Sequence, residues 1–259
     1  MNAISELGIH AKPKTKQANC AKHGAFEAKC FIGSIWSKCP ACEAERSAAE
    51  AREREARERE ARRQEWQRKV GEAGIPERFR NRTIESYVVE TEAQAKALQF
   101  ASSYADRFDD VLATGRSALF IGSPGTGKTH LSVGIGLRIM HRDNRTVLFT
   151  TALRAIRRVK DTWGRSSAES ESEAIAALVF PDLLIIDEVG VQFGSEAEKL
   201  ILFDVLNERY AQRRPTLLLS NLTLDGVKSY LGERVFDRLR EDGGEVVVFD
   251  WPSYRGRKP

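Results

Sequence analysis

Hydrophobic and polar positions alternate along most of the chain in blocks that predict strands and helices in turn. Short apolar runs, typical of buried strands, occur at 118–121, 146–151, 183–186, 216–221 and 245–251. Segments with helical periodicity lie beside them, at 92–113, 129–142 and 196–213. Strands that alternate with helices predict an α/β fold, in which a parallel sheet is flanked by helices on both faces.

A different pattern fills residues 43–72, where Glu and Arg alternate with Ala between them. Both charged residue types favour a helix, and Glu–Arg pairs three or four residues apart stabilise it. The apolar stripe of a coiled coil is almost absent and the charges nearly balance, so we expect a solvated spacer helix, with docking of a partner protein as the alternative. We therefore divide the chain into a small module at 1–45, a charged helical connector at 46–72 and an α/β domain at 73–259.

Composition narrows the setting of the protein. The 259 residues carry a net charge of +4, which is compatible with nucleic acid as a partner but supports it only weakly. No run of 18 apolar residues occurs and the N-terminus lacks the apolar core of a secretory signal, so we expect a cytoplasmic protein without a membrane span. All four cysteines lie between positions 20 and 42, and in a reducing compartment such clustering indicates metal binding before disulfides.

The small module contains two pairs of metal-ligand residue types. Cys20 and His23 form the first pair, and Cys39 and Cys42 form the second, with 15 residues between the pairs. This spacing is typical of a tetrahedral Zn²⁺ site built from two turns, and a site with four protein ligands is structural rather than catalytic. Because so short a segment cannot be stabilised by burial alone, the metal would contribute its folding free energy. Cys30 is the alternative to His23 as the fourth ligand.

A phosphate-binding loop follows the first predicted strand of the α/β domain. Gly122, Gly127, Lys128 and Thr129 match the fixed positions of the P-loop pattern G-x-x-x-x-G-K-[ST]. The glycines let successive N–H groups turn toward an anion, and the helix that follows adds its N-terminal partial positive charge. We expect Lys128 to reach the β- and γ-phosphates of ATP and the Thr129 hydroxyl to bind Mg²⁺. The residues expected to bind the nucleotide are Gly122, Ser123, Pro124, Gly125, Thr126, Gly127, Lys128, Thr129 and His130.

The ends of two later strands carry the polar residues that complete such a site. Asp187 and Glu188 directly follow an apolar strand, and Asn221 ends the next predicted strand along the chain. We expect Asp187 to organise Mg²⁺ and Glu188 to polarise the attacking water as general base. The amide of Asn221 can hydrogen-bond the water or the γ-phosphate. Because the carboxyl ends of parallel strands meet at one edge of the sheet, these residues should lie beside Gly122.

Three further segments lie outside these motifs. Ile75 and Phe79 precede the core of the domain, and they either flank the nucleotide base or pack onto the core. The polar run at 166–174 is predicted to be a loop. A basic cluster on a predicted helix either contacts a phosphate backbone or forms a solvated surface; its members are Arg154, Arg157, Arg158 and Lys160.

Seven motifs between Gly74 and the C-terminus carry a resemblance to a known family: GIPERFRN, GSPGTGKTHL, LLIIDEVG, QFGSEAEK, LLLSNL, GERVFDRLRE and FDWPSYRGR. Through them the chain resembles AAA+ ATPases of the DnaC/DnaI group of bacterial helicase loaders, whose branch also includes the IstB transposition helpers. GERVFDRLRE together with WPSYRGR is more specific to the loaders than the nucleotide-site motifs are. The resemblance implies an AAA+ P-loop NTPase fold.

The resemblance also implies roles for single residues. Asn221 is similar to the sensor 1 residue, and Arg238 to the arginine finger that acts on ATP held by a neighbouring subunit. Arg255 is similar to the sensor 2 arginine, which contacts the γ-phosphate in its own subunit. The basic cluster occupies the position of the extra helical motif that engages single-stranded DNA in loaders. The Cys/His module is closer to the DnaI type than to the DnaC type, and partner binding is its implied role.

The function that the resemblance implies is ATP-dependent loading of the hexameric replicative DNA helicase onto single-stranded DNA in DNA replication. It implies an ATPase with ATP and Mg²⁺ as cofactors and self-association through AAA+ domains, whereas Zn²⁺ in the small module is expected from the Cys/His spacing. One alternative is an IstB-like transposition helper ATPase. The other is a zinc-containing nucleic-acid-binding adaptor with weak ATPase activity, against which the intact Lys128, Asp187 and Glu188 argue.

Overall fold

A computed structural model describes residues 14–30, 35–164, 167–191 and 195–255. Residues 192–194 of the motif QFGSEAEK and 256–257 of the motif FDWPSYRGR lie outside the described residues. The chain forms two compact units, of which the first ends at Gln67 and the second begins at Arg68. The division with boundaries at 45 and 72 stays a prediction.

The first unit contains an antiparallel hairpin of β1 (Lys14–Cys20) and β2 (Gly24–Cys30), with Cys20 paired to Gly24 beside the turn. Its buried side is small: Ala28 and Cys30 are shielded, and Trp36 lies half-buried with the Lys16 ammonium 4.2 Å from its ring centre. So small an apolar core indicates that the hairpin needs a further source of stability.

Helix α1 (Pro40–Glu72) spans the segment in which a charged helix was predicted. It begins at Pro40, so that the second cysteine pair lies at its N-terminus and not in a separate turn. Exposed ion pairs four residues apart line it, such as Glu53–Arg57 and Glu55–Arg59 at 2.5 Å each. Such pairs favour the helical state without requiring a packed face, which accounts for a helix that is exposed over most of its length.

The second unit is built on a five-stranded sheet whose neighbouring strands all pair in parallel. The order of the strands across the sheet is β4, β5, β6, β3 and β7. Their bounds are β3 Ala118–Gly122, β4 Val147–Thr151, β5 Leu183–Asp187, β6 Thr216–Ser220 and β7 Glu245–Phe249. The predicted parallel sheet is confirmed, and the central position of β5, β6 and β3 brings their carboxyl ends together.

Eight helices of the described residues accompany this sheet: α2 Glu92–Asp106, α3 Phe108–Thr114, α4 Lys128–Asp143, α5 Ala152–Asp161, α6 Glu171–Val179, α7 Glu196–Ala211, α8 Leu224–Leu231 and α9 Glu233–Arg240. Alternate strand residues face opposite sides. Leu119 and Leu184 pack with α5, α6 and α7, whereas Phe120 meets Phe100 of α2 with ring centres 5.8 Å apart. Helices therefore cover both faces, as predicted. Within the described ranges, none is long and apolar enough to cross a bilayer.

Two of the predicted elements differ from the structure. The helix predicted at 92–113 is interrupted at Arg107, which ends α2 and begins α3. The run at 166–174, predicted to be a loop, contains the start of α6. There the Ser170 hydroxyl accepts from the Glu173 N–H while the Glu173 carboxylate accepts from the Ser170 N–H, a capping box that stabilises the first turn.

Arg209 of α7 is fully buried and joins α6 to β6. Its guanidinium donates to the backbone carbonyls of Leu178, Val179, Pro181 and Pro215 and to the Thr216 hydroxyl, at 2.6–3.1 Å. Burial lowers the pKa of Arg209 to about 9. The carbonyls at the end of α6 carry the negative end of the helix dipole, so they stabilise the cation where no carboxylate touches it.

Candidate functional site

A cleft of about 540 Å³ lies at the carboxyl ends of the strands in the second unit. This volume falls in the range of small-molecule sites. The cleft brings together most of the residues that the sequence predicts for ATP binding. Its lining includes Phe79, Tyr87, Pro124, Gly125, Thr126, Gly127, Lys128, Thr129, His130, Asp187, Glu188, Asn221, Trp251 and Arg255.

The loop between β3 and α4 has the backbone that its glycines predict. Gly122, Gly125 and Gly127 have φ of +135°, +80° and +101°, and residues with a Cβ rarely adopt such positive values. The loop ends where α4 begins at Lys128, so the helix N-terminus points its unpaired N–H groups at the cleft. The loop therefore has the geometry of an anion site.

Lys128 is buried at the base of this loop, with 6% of its surface exposed. Its ammonium donates to the carbonyls of Gly122 and Ser123, at 2.7 and 2.8 Å. The pKa of Lys128 is lowered to about 8, chiefly by burial; Asp187 opposes this shift, and Arg255 contributes to it. A phosphate group in the cleft would place a negative charge beside the Lys128 ammonium and so favour its charged form.

The Thr129 hydroxyl donates a hydrogen bond of 2.8 Å to Oδ2 of Asp187. The other carboxylate oxygen, Oδ1, accepts the N–H of Glu188 at 2.7 Å. A hydroxyl and a carboxylate oxygen held side by side are the donors that Mg²⁺ prefers, so the pair fits the ion that the sequence predicts here.

Glu188 and Asn221 line the same cleft from the ends of adjacent strands. Glu188 has a φ of +61°, which is uncommon for a residue with a Cβ and is typical of functional positions. The Glu188 side chain is exposed. A carboxylate and an amide thus both line the cleft that the P-loop borders.

Two aromatic residues that the sequence analysis did not identify contact the P-loop. The indole Nε1 of Trp251 donates to the carbonyl of Thr126 at 2.8 Å, and the Tyr87 hydroxyl donates to the same oxygen at 3.2 Å. Trp251 lies in the motif WPSYRGR, although that motif gave it no role of its own, whereas Tyr87 lies in none of the quoted motifs, and only the fold shows their shared contact. Arg255, four residues after Trp251, lines the cleft as its predicted role requires.

His130 also lies in the cleft, where its Nε2 donates to the carbonyl of Thr83 at 2.9 Å. Burial lowers the pKa of His130. Ile75 and Phe79, for which the sequence left two interpretations open, differ in their positions. Phe79 lines the cleft, whereas Ile75 is 2% exposed and is part of the core.

Arg238 of α9 does not line this cleft. Its guanidinium donates to the amide oxygen of Asn207 and stacks over Tyr210, 5.0 Å from the ring centre. An arginine that acts on a nucleotide of its own chain would face its own cleft. The role of Arg238 toward a second copy of the chain stays a prediction.

The basic cluster lies on α5, whose opposite face is buried at Ala155 and Ile156. Two of its cations have partners, since Arg158 pairs with Glu169 at 2.5 Å and Lys160 with Glu198 at 3.4 Å. Arg154 and Arg157 are exposed, and neither makes an ion pair with any described residue.

In the first unit, the four predicted zinc ligands come together. The ligand atoms of Cys20, His23, Cys39 and Cys42 all lie within 4.8 Å of one another. The closest are His23 Nδ1 and Cys42 Sγ at 3.2 Å and the sulfurs of Cys20 and Cys42 at 3.5 Å. Tetrahedral Zn²⁺ with three thiolates and one imidazole separates its ligand atoms by roughly 3.5–3.8 Å, so the cluster fits the ion. Cys30 is buried and outside the cluster.

Groups beside Cys20 and His23 affect the charge of the thiol and the orientation of the imidazole. The backbone N–H groups of Lys22 and His23 point at the Cys20 sulfur and lower the pKa of Cys20 to about 6, which favours the thiolate. His23 presents Nδ1 to the sulfurs, and its Nε2 lies 3.1 Å from Oε1 of Glu45. A carboxylate on the far nitrogen fixes the tautomer and the ring orientation that a metal ligand needs.

Comparison with known proteins identifies the family. Residues 48–258 match a protein family that is described as "IstB-like ATP binding protein". The replicative helicase loader DnaC of Escherichia coli K12 is 40% identical over 190 residues, which cover 73% of this chain and 76% of the relative. DnaC of Buchnera aphidicola subsp. Schizaphis graminum is 38% identical over 189 residues, with 73% and 75% covered.

A solved crystal structure of the DnaC helicase loader is similar in fold. The TM-score is 0.60 at 23% identity, and the match covers 67% of this chain and 99% of that one. At this identity the likeness concerns the fold alone, and it confirms the predicted AAA+ architecture. Both comparisons agree with the motifs from which the resemblance was inferred. The chain belongs to the family of IstB-like ATP-binding proteins.

Proposed function

We propose that the protein is an ATP-dependent loader that places the hexameric replicative DNA helicase on single-stranded DNA during DNA replication. The observation that carries this proposal is the 40% identity to the Escherichia coli loader, extended over about three quarters of both chains. The gathering of most of the predicted nucleotide-site residues around one cleft supports it.

Family membership implies that the chain binds ATP and hydrolyses it. Bound ATP would supply the γ-phosphoryl group that is transferred to water, with ADP as the leaving group, and Mg²⁺ would neutralise the charge of the phosphates. In the proposed site Lys128 binds the phosphates, and Thr129 and Asp187 hold Mg²⁺. Glu188 takes the proton of the attacking water, and Asn221 orients that water.

The two arginines act on nucleotides that are held by different copies of the chain. Arg255 serves the nucleotide of its own chain, and its place in the cleft supports this role. Arg238 completes the site of a neighbour, so hydrolysis depends on self-association through the AAA+ domains. Turnover by the isolated chain should then be slow, since each site lacks an arginine until subunits assemble.

Two surfaces outside the nucleotide site would bind the macromolecular partners. The small module with its zinc site, together with α1, would bind the helicase. On α5 the exposed, unpaired Arg154 and Arg157 would contact the backbone of single-stranded DNA.

Co-purification with the hexameric replicative helicase encoded in the same genome tests this function. We expect stable association with ATP, and release of the loader from the helicase as ATP is hydrolysed in the presence of single-stranded DNA. A Glu188→Gln variant is the matched control, because it should associate with the helicase but remain bound. Absence of association in every nucleotide state would overturn the proposal.

The description of the family favours one other function, that of a transposition helper ATPase of the IstB type. Such a helper would bind double-stranded DNA and a transposase. Titration with single-stranded and double-stranded DNA of equal length separates the two, since a loader should prefer the single strand and a helper the duplex.

A further inference from the structure

The segment 251–255 lies against the P-loop and contacts two successive peptide groups. The N–H of Tyr254 donates to the carbonyl of Gly125 at 2.9 Å. The indole of Trp251 and the hydroxyl of Tyr87 donate to the carbonyl of Thr126, at 2.8 and 3.2 Å. Contact is close throughout, because a Cβ built on Gly125 would lie 2.0 Å from the Ser253 hydroxyl oxygen.

These bonds determine which way the loop's own N–H groups point. In a trans peptide the C=O and the following N–H are antiparallel. When the Gly125 carbonyl is held toward segment 251–255, the N–H of Thr126 points to the opposite side of the loop. The same relation holds between the Thr126 carbonyl and the N–H of Gly127. Both N–H groups belong to the loop whose concave side would hold a phosphate.

The carbonyl of Thr126 is unusual in having two side-chain donors. Thr126 is 2% exposed, and Trp251 is 6% exposed, so bulk water has little access to this bond. A buried carbonyl that keeps one donor is satisfied, whereas one that loses both is left without a partner. Both donors are far from Thr126 in the chain: Tyr87 is 39 residues away and Trp251 is 125 residues away.

We propose that Trp251 and Tyr87 are positioning residues for ATP, which hold the Thr126–Gly127 peptide of the P-loop so that its N–H faces the phosphates. Segment 251–255 thereby links the shape of the P-loop to the placement of Arg255. This inference rests on the proposed nucleotide site and goes beyond it, because neither aromatic residue touches the reacting atoms. It predicts that the two residues act as alternatives at one carbonyl.

A double-mutant cycle tests the proposal in the full-length protein. Tyr87→Phe removes one hydroxyl, and Trp251→Phe removes the indole N–H while keeping an aromatic ring. We expect each single variant to lower the affinity for ADP by a few fold, because the other donor remains. The double variant should lose more than the product of the single effects, on the order of 10- to 100-fold in all.

A second measurement separates positioning from simple destabilisation. Steady-state hydrolysis should show a raised KM for ATP in the double variant, with kcat at saturating ATP within about twofold of the wild type. Trp163→Phe, which alters an exposed tryptophan outside the cleft, is the matched control and should change neither value. Tyr87→Phe alone keeps the test open if Trp251→Phe does not fold, since it removes a single oxygen atom.

Three results would overturn the proposal. The first is ADP affinity that is unchanged in all three variants. The second is a double variant whose loss equals the product of the single losses, because the donors would then act independently. The third is a fall in kcat as large as the rise in KM. A wild-type protein that binds no nucleotide would instead overturn the proposed function itself.

Discussion

The hydroxyl of Thr129 and the carboxylate of Asp187 lie 2.8 Å apart, although 58 residues separate them in the chain. The hydroxyl belongs to the first turn of α4 and the carboxylate to the last residue of β5. A parallel sheet makes this contact possible, because helix N-termini and strand carboxyl ends meet at the same edge. The contact joins the phosphate-binding loop to the acidic strand end, and so unites the halves of the proposed Mg²⁺ site.

Substitution of Thr129 should therefore weaken Mg²⁺-dependent nucleotide binding. Thr129→Val keeps the shape of the side chain but removes the hydroxyl, and we expect it to lower ATP affinity in Mg²⁺ by about tenfold or more. Thr129→Ser keeps the hydroxyl and should bind nearly as the wild type does. Calorimetric titration with and without Mg²⁺ measures both. Equal losses for Val and Ser would contradict the assignment, as would a loss that persists without Mg²⁺.

Removal of the Glu188 carboxylate should separate nucleotide binding from hydrolysis. Glu188→Gln leaves a side chain of the same size that cannot accept a proton, so turnover should fall by about 10²–10⁴-fold while ATP still binds. Phosphate release and nucleotide titration are the two measurements. If hydrolysis persists near the wild-type rate, another group activates the water.

Arg238 should be required by the neighbouring subunit and not by its own. Arg238→Ala should bind ATP normally and hydrolyse it about 10³-fold or more slowly. A mixture of Arg238→Ala with Lys128→Ala provides the sharp test. Each variant alone is inactive, but mixed assemblies place an intact Arg238 beside an intact Lys128 and should recover part of the activity. No recovery, in a mixture shown to co-assemble, contradicts action between subunits.

The nucleotide-binding half of this site was accessible from the sequence because local spacing encodes it. The P-loop at 122–129 and the acidic strand end at Asp187 are each short, contiguous patterns whose chemistry depends on neighbours in the chain. The contacts of Tyr87 and Trp251 with Thr126 were not accessible, because they form through the tertiary fold, even though Trp251 lies in the motif WPSYRGR.

Similar physics explains the elements that were misjudged. Polarity at 166–174 suggested a loop, yet Ser170 and Glu173 are spaced as a capping box and Ala174 begins a buried face. The interruption of the helix at Arg107 has no glycine or proline to announce it. There, the backbone of Arg107 leaves the helical range beside the fully buried Phe108, and tertiary contacts override local propensity.

In the first unit, Glu45 should tune the affinity for Zn²⁺ through His23. Glu45→Gln keeps a possible acceptor oxygen without the charge, and we expect zinc affinity to fall by about 10- to 100-fold. Competition with a chromophoric chelator measures the affinity, and bound metal in the purified wild type establishes the site. Glu50→Gln, which changes an exposed glutamate of the same helix, is the control and should bind as the wild type. Equal affinities for Glu45→Gln and the control contradict the role of Glu45.

Arg209 should contribute to stability through hydrogen bonds that no shorter cation can reproduce. Arg209→Met removes the guanidinium donor from four carbonyls, and we expect the free energy of unfolding to fall by about 3 kcal/mol or more. Arg209→Lys restores a charge but has three N–H groups instead of five, so it should be intermediate. Arg157→Met, at an exposed position, controls for the loss of a cation. Urea denaturation of each variant decides the order, and a stability of Arg209→Met equal to that of the control would show that solvent replaces the guanidinium.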